Sequence, residues 1–438
     1  GITRNLARSI SGDRIVFEET NPVIGLRIRA WWAFSEASGF VRTVTLEREG
    51  TGPTTLDFEV VDGLRELVAG GAGLGVMQTM SCLVNAYTRA EQSIDSRLAT
   101  ISMESALSDR AEPAESLHAT TVWSTGLPGG TVSLSSQAIE SFAREGIFIP
   151  TSLLKGHSSA YLLHSALSLS PNESATWSIV SDVRRTQAQV ADLHRRLESE
   201  TNLAVELAAE IDETTRAIDA ILVDTDGMQC SGDSILDAHH RTNTLFNDMR
   251  GGVFVDGVNL PWRDWVEFCR QRNADTSLLH RAWLESRDDQ AWVDRATLVE
   301  EAASFDDPNL ERIAWEYLPI WFGRRHGDPS RPWNAFNIRV KQADGARRLT
   351  FEGNWRDIFQ NWEALGRSYP GILPAVIDVF LNASTADGYN PYRITRTGID
   401  WEVEDPADPW SHIGYWGDHQ IVYLMRLLEM WARYEPGD

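Results

Sequence analysis

The sequence predicts a multi-domain α+β protein: an antiparallel β-sandwich over residues 1–182, a helical linker over 183–228 and an α-helical toroid over 229–438. Three observations predict it. Apolar residues alternate with polar ones through the first part, and the period becomes helical near residue 183. Tryptophan is concentrated in the last part, where 13 of the 17 lie after residue 250. A chain of 438 residues is long enough for two domains of ordinary size, and 42% apolar with 24% charged residues describes a soluble globular protein.

The strands come first. "VRTVTLERE" (41–49) and "LDFEVVDG" (56–63) have the period of two that a half-buried strand requires, with Leu56, Phe58 and Val60 on one face. "GTGP" between them supplies turn residues. "GGTVSLSS" (129–136) and "ESATWSIVSDV" (173–183) follow the same rule, and several short strands with Gly, Pro and Ser punctuation make a sandwich. The Gly-rich "GLRELVAGGAGLGV" (63–76) lacks the strand-to-helix setting of a dinucleotide loop, so no nucleotide site is expected there.

From 183 to 226 no Pro or Gly interrupts the chain, and Val190, Leu193, Leu197, Leu207, Ile211, Ile218 and Leu222 recur at helical spacing. One or two long amphipathic helices are expected; the heptads are too irregular to favour a coiled-coil dimer. Beyond residue 230, apolar helices such as "PWRDWVEFCRQR" and "HQIVYLMRLLEMWARY" alternate with loops rich in Gly, Asp, Pro and Trp. That is the pattern of a helical toroid with functional loops at one end.

Charge and cysteine content narrow the partners. A formal charge of −23 repels nucleic-acid phosphates and anionic membranes. No run of about 18 apolar residues could span a bilayer, and "GITRNLARSISGD" lacks the order of a signal peptide. Cys82, Cys230 and Cys269 are far apart and odd in number and form no CxxC, so neither a zinc site nor a disulfide framework is expected, but buried free thiols in a reducing, cytoplasmic compartment. The expected partners are an oligosaccharide and either a second copy of the chain or the remainder of a longer one.

The carbohydrate expectation rests on five polar-aromatic clusters in the helical half: 237–252, 324–334, 353–362, 387–402 and 414–420. Each ring hydroxyl of a sugar donates and accepts, so Asp, Asn and Arg bind hydroxyl pairs in forked geometry. A Trp face covers the C–H side of the ring. The structural alternative for any one cluster is ordinary capping and core packing. His239 and His240 with Asp237 could ligate a metal, but no HExxH-type spacing supports one. Nucleophile-elbow, Walker and kinase motifs are absent.

"NWRDIFQNWEALGRSYP" (354–370) resembles the Phe-Arg-Asp-Gln-Leu-Gln-Asp segment of the cellobiose phosphorylase family, glycoside hydrolase family 94. "DGYNPYRITRTGIDWE" (387–402) stands where that family has its substrate loop, and "GYWGDHQIVYLMRLLEMWARYEPGD" is similar to its Asp-Asp-His helix. Trp355 replaces the family's Phe, Ile358 its first Gln and Asn361 its final Asp. The order of sandwich, linker and (α/α)6 toroid also matches.

The resemblance implies an inverting phosphorylase or hydrolase of β-linked gluco-oligosaccharides, with inorganic phosphate as the co-substrate of phosphorolysis and no other cofactor. It implies that Arg356 and Asp357 hold donor-sugar hydroxyls, supported by Gln360. Trp355, Trp401 and Trp416 would wall the sugar, and Asp418 and His419 would line the same mouth. The family's general acid lies in a Gly-Asp-Trp-Asn-Asp segment beyond the Asp-Asp-His helix, and no such segment follows residue 420 here. The chain is therefore expected to be a truncated toroid. Asp400 and Glu402 are the candidate replacement acids, with a non-catalytic glycan-binding or assembly protein as the alternative.

Overall fold

A computed structural model describes residues 1–50, 55–93, 96–107, 116–199, 201–255, 259–322, 340–342, 345–401, 406–407, 415–416 and 420–437. The fold is mixed α/β, with antiparallel sheets and, among the described residues, thirteen α-helices. The chain divides into two compact units, 1–217 and 218–438.

The first unit opens with four strands joined as hairpins: β1 (Thr3–Arg8), β2 (Ile15–Asn21), β3 (Leu26–Ser35) and β4 (Gly39–Arg48). β5 (Leu56–Leu67), helix α1 (Leu74–Ala86), β6 (Thr88–Gln92), β7 (Ala99–Met103) and β8 (His118–Thr125) follow. Next come β9 (Thr131–Ser133), α2 (Gln137–Glu145), β10 (Leu153–Lys155), β11 (Ser159–Leu169) and β12 (Ser174–Thr186). They form a nine-stranded sheet, β1-β2-β3-β4-β12-β8-β7-β6-β10, and a three-stranded sheet, β5-β11-β9.

Alternation explains the layers. Val44 and Leu46 of β4, Trp177 and Ile179 of β12 and Ala99 and Ile101 of β7 point one way, into a core shared with Tyr161, Leu163 and Leu167 of β11. The intervening residues Ala33, Val41, Trp123 and Val180 point the other way and meet Leu207 and Ile211. Those last two lie on a helix, so the large sheet is buried on both faces at its centre. A polar clasp joins the sheets. Asp62 of β5 accepts from Arg42 Nη1 of β4 at 2.6 Å and from Trp177 Nε1 of β12 at 2.7 Å. The Gly-rich stretch 63–76 is the end of β5 and the start of α1, and the turn residues 51–54 lie outside the described residues.

Two helices follow the strands, α3 (Gln187–Ser199) and α4 (Leu203–Asp224). Val190, Leu193 and Leu197 pack against the sheet core rather than against a second copy, which accounts for the irregular heptads.

In the second unit, α5 (Ser234–Gly251) is followed by β13 (Val253–Phe254), β14 (Asn259–Pro261), α6 (Trp262–Arg272), α7 (Ala274–Leu279) and α8 (Arg281–Leu284). Then come β15 (Trp292–Asp294), α9 (Arg295–Ala303), α10 (Pro308–Glu316) and β16 (Ile320–Trp321). β17 (Glu352–Asn354), α11 (Trp355–Ser368), α12 (Leu373–Ala383), β18 (Tyr389–Asn390), β19 (Arg393–Thr395), β20 (Gly398–Asp400), β21 (Tyr415–Trp416) and α13 (Gln420–Tyr434) complete it. Asp233, Asp294 and Asp307 each cap a helix start by accepting backbone N–H bonds. One core gathers α6, α9 and α10 around Trp262, Trp265 and Tyr317. Another gathers α11, α12 and α13 around Trp355, Phe359, Trp362 and Phe380. Helices α5 and α11 touch backbone to backbone at Gly251, where an added Cβ would sit 3.0 Å from Asn361 Cβ and 3.4 Å from its carbonyl carbon. Gly251→Ala is expected to cost about 1–3 kcal/mol by overpacking, measured by denaturant unfolding.

Candidate functional site

Helix α11 shows why its start is crowded with both ring and polar side chains. Positions 355, 358, 359, 362 and 365 form its inward stripe, all buried. Trp355 is fully buried, with its ring against Phe359 at 4.7 Å and Phe380 at 5.2 Å between centroids. This corrects its expected role: an indole enclosed by the core offers no face to a sugar. Its Nε1–H has no partner among the described residues, whereas Trp362 Nε1 donates to Gly251 O at 3.1 Å.

The polar positions lie off that stripe. Asp357 is half-buried in the helix's first turn, where the positive end of the helix dipole favours a carboxylate. Gln360 is exposed, and buried Asn361 donates from Nδ2 to Asp357 O at 2.9 Å. The backbone of Arg356 forms the second residue of α11; its side chain lies outside the described atoms.

Strand pairing joins this helix start to two other predicted clusters. β17 pairs with β19, setting Asn354 opposite Arg393, and β19 pairs with β20, setting Arg393 opposite Asp400. Trp355 N donates to Tyr392 O at 3.0 Å. β18 pairs with β21, setting Tyr389 opposite Trp416. Segments 353–362, 389–400 and 415–416 are thus hydrogen-bonded neighbours. Gly251, at the end of the 237–252 cluster, lies against the next turn of α11. The cluster at 324–334 lies outside the described residues, as do Glu402, Asp418 and His419.

The chemistry of the junction centres on Arg393. Its Nη1 donates to Glu352 Oε1 at 2.8 Å and its Nε to Asp400 Oδ2 at 2.7 Å; Nη2 also bonds Asp400. Burial would lower the guanidinium's pKa, but the bond and charge of Asp400, with Glu352, hold it above the ordinary value. Trp401, directly after Asp400, is 43% exposed, and Tyr389 is 38% exposed. Two aromatic side chains open to solvent thus lie close in sequence to an arginine that bridges two carboxylates.

Two features escaped the sequence reading. Asp248 is buried on α5 and accepts from Thr225 Oγ1 at 2.7 Å. Burial pushes its pKa up to about 7 against the pull of that hydroxyl. It lies on the helix face of Arg241, which binds Asp219. A polar pair seven residues apart was the available signal. The second is a pocket of about 680 Å3 lined by residues of α7, α8 and the start of α10. There His280 Nε2 donates to Asp307 Oδ2 at 2.8 Å beside Trp283 and Phe305. The bond from His280 holds Asp307 below the usual carboxylate range.

The two adjacent histidines do not converge with Asp237. His240 bonds Asp226 O at 2.7 Å, while Asp237 accepts from Ser231. Among the described residues no group of three His, Cys, Asp or Glu is placed to hold a metal, and no helix is long and apolar enough to cross a membrane.

Fold and site together define a two-unit α/β protein whose second unit carries an arginine bridging two carboxylates. No family model matches the chain, and no curated protein matches it in sequence. Solved structures similar to it include carbohydrate-active enzymes. A bacterial glucoamylase complexed with acarbose is 9% identical, with a TM-score of 0.36, over 98% of this chain and 58% of its own. A protein from the human microbiome described as a kojibiose phosphorylase is 5% identical at a TM-score of 0.25, over 99% and 43%. A family GH92 alpha-mannosidase from Bacteroides thetaiotaomicron is 8% identical at a TM-score of 0.23, over 73% and 36%. Likeness this low carries no functional argument, and the chain spans 36–58% of these proteins' lengths.

Proposed function

We propose that the chain is a carbohydrate-active protein whose sugar site lies at the start of α11. The observation that carries this reading is the strand register that brings Glu352, Arg393 and Asp400 together, with exposed Trp401 next in the chain. Carboxylate oxygens accept from sugar hydroxyls, guanidinium N–H groups donate to them, and an open indole covers the ring's C–H face. Asp357 and Gln360 belong to the same helix start. Arg356, Trp416, Asp418 and His419 join the proposal through the family resemblance.

In this reading residues 1–182, 183–228 and 229–438 are sandwich, linker and (α/α)6 toroid. The reaction is inverting phosphorolysis or hydrolysis of β-linked gluco-oligosaccharides. An acid protonates the leaving oxygen while phosphate or water attacks the opposite face of the sugar. Asp400 and Glu402 are the proposed carboxyl groups for that step.

One observation favours the non-catalytic reading: Asp400 and Glu352 are held by the same guanidinium, an arrangement suited to binding. Titration calorimetry with β-linked gluco-oligosaccharides separates the outcomes. Binding that Trp401→Ala or Asp400→Ala weakens by about tenfold or more supports the site. Sugar phosphate or new reducing ends on incubation with phosphate or water support the enzyme, whereas binding without turnover supports the glycan-binding alternative. No affinity for any of these sugars would remove the proposal.

A further inference from the structure

The pocket of about 680 Å3 in the second unit is built around a helix cap. Helices α7 and α8 meet at His280, and Asp307 caps the start of α10. His280 is only 9% exposed, and its ring lies 5.0 Å from that of Phe305. Asp307 accepts from His280 Nε2 with Oδ2, at 2.8 Å, and from Asn309 N with Oδ1, at 2.9 Å. Capping therefore accounts for both oxygens of Asp307 and for one nitrogen of His280. The other nitrogen, Nδ1, has no partner among the described residues. With Nε2 carrying the proton toward Asp307, Nδ1 of the neutral ring is an acceptor to which no group of the chain donates.

The rest of the lining points to the kind of donor. Asp275, Asp306 and Asp307 line the pocket, and no Lys or Arg does. Asp275 and Asp306 are exposed, and their carboxylates make no hydrogen bond or ion pair among the described residues. Negative charge that no basic side chain of the pocket answers attracts a cation. The walls do not suit a bare metal ion. Trp283 and Phe305, with ring centroids 5.2 Å apart, stand there with Leu279 and Pro308, and among the described residues no three His, Cys, Asp or Glu groups converge. Aromatic faces bind organic cations instead, and a pocket of this volume holds a small molecule.

We propose that this pocket binds an organic amine, a protonated primary ammonium on a flat apolar body. One ammonium N–H donates to His280 Nδ1, and the charge sits among the three carboxylates. The apolar body lies on Trp283 and Phe305. The head group decides the choice of ligand. A neutral alcohol of the same shape can donate to Nδ1 but leaves the carboxylates uncompensated, and an anion is repelled by them. The floor is arranged beforehand, because Asp307 holds the imidazole and the cap of α10 holds Asp307, so binding need not order either group.

Titration calorimetry on the full chain with tryptamine, tryptophol and indole-3-acetate reads that choice, since these probes share an indole and differ in the head group. Tryptamine should bind about tenfold or more tightly than tryptophol, and indole-3-acetate should not bind. Asp275→Asn/Asp306→Asn, at two exposed positions, should cut the preference for tryptamine to about threefold or less with an unchanged circular dichroism spectrum. His280→Phe, which keeps an aromatic ring on the pocket floor, should weaken tryptamine about tenfold; if that variant does not fold, the double variant decides. No binding of tryptamine at millimolar concentration overturns the proposal, as do equal affinities for tryptamine and tryptophol or a preference unchanged in the folded variants.

Discussion

Asp248→Asn should make the second unit more stable at pH 8 than the wild type, by up to about 4 kcal/mol, and leave it little changed at pH 4. The sign follows from proton binding. In the unfolded chain the Asp248 carboxyl titrates near 3.8, while in the fold burial lifts it to about 7. Below the lower value both states are protonated and folding carries no penalty. Between the two values the folded state holds a proton that the unfolded state has lost, so stability falls as pH rises. Above about 7 the carboxylate is charged inside α5, next to the Thr225 hydroxyl and near Asp224 and Tyr369. Tyr369 reports the same crowding: burial, then Asp224 and Asp248, push its hydroxyl up to about 12. Asparagine still accepts from Thr225 and carries no charge. Thermal unfolding of both proteins from pH 4 to pH 9 reads the difference directly. Parallel curves would mean that the buried carboxyl is ionised throughout.

The second large effect separates the tryptophans. Trp355→Ala should cost about 3–5 kcal/mol, because it removes a fully buried ring from among Phe359 and Phe380 and leaves a cavity. Against a total stability of about 5–15 kcal/mol, that loss leaves the second unit near its unfolding midpoint. Trp401→Ala, at a side chain 43% exposed, should stay within about 0.5 kcal/mol of the wild type. Urea unfolding of the two variants makes the comparison. If Trp401→Ala is the costlier change, the division into a core indole and an open one is wrong.

These contrasts explain what could be read from residues alone. β4, β5 and β12 were legible because their apolar residues alternate without interruption between turn signals. Helix α11 was legible because Ile358, Trp362 and Leu365 recur at its period. Trp355 misled because it belongs to that same stripe, while the segment it resembles has a Phe at that place. The stripe, not the neighbouring Arg and Asp, decides where the ring goes. Asp248 was missed because α5 inverts the usual pattern: Arg241 and Asp248 are buried while Phe246 and Met249 are exposed. No periodicity rule assigns a charged residue to the inside when apolar ones stand beside it. The pairing of β17 with β19 was also invisible, since strands of three residues joined across about forty positions leave no local signal.

The Asp62 clasp has a mechanical consequence. One carboxylate in the small sheet, gripped by Arg42 and by the Trp177 indole of the large sheet, resists sliding of one layer over the other. Strands β4, β5 and β12 should therefore open to solvent together, and their amide hydrogens should exchange with a single shared rate.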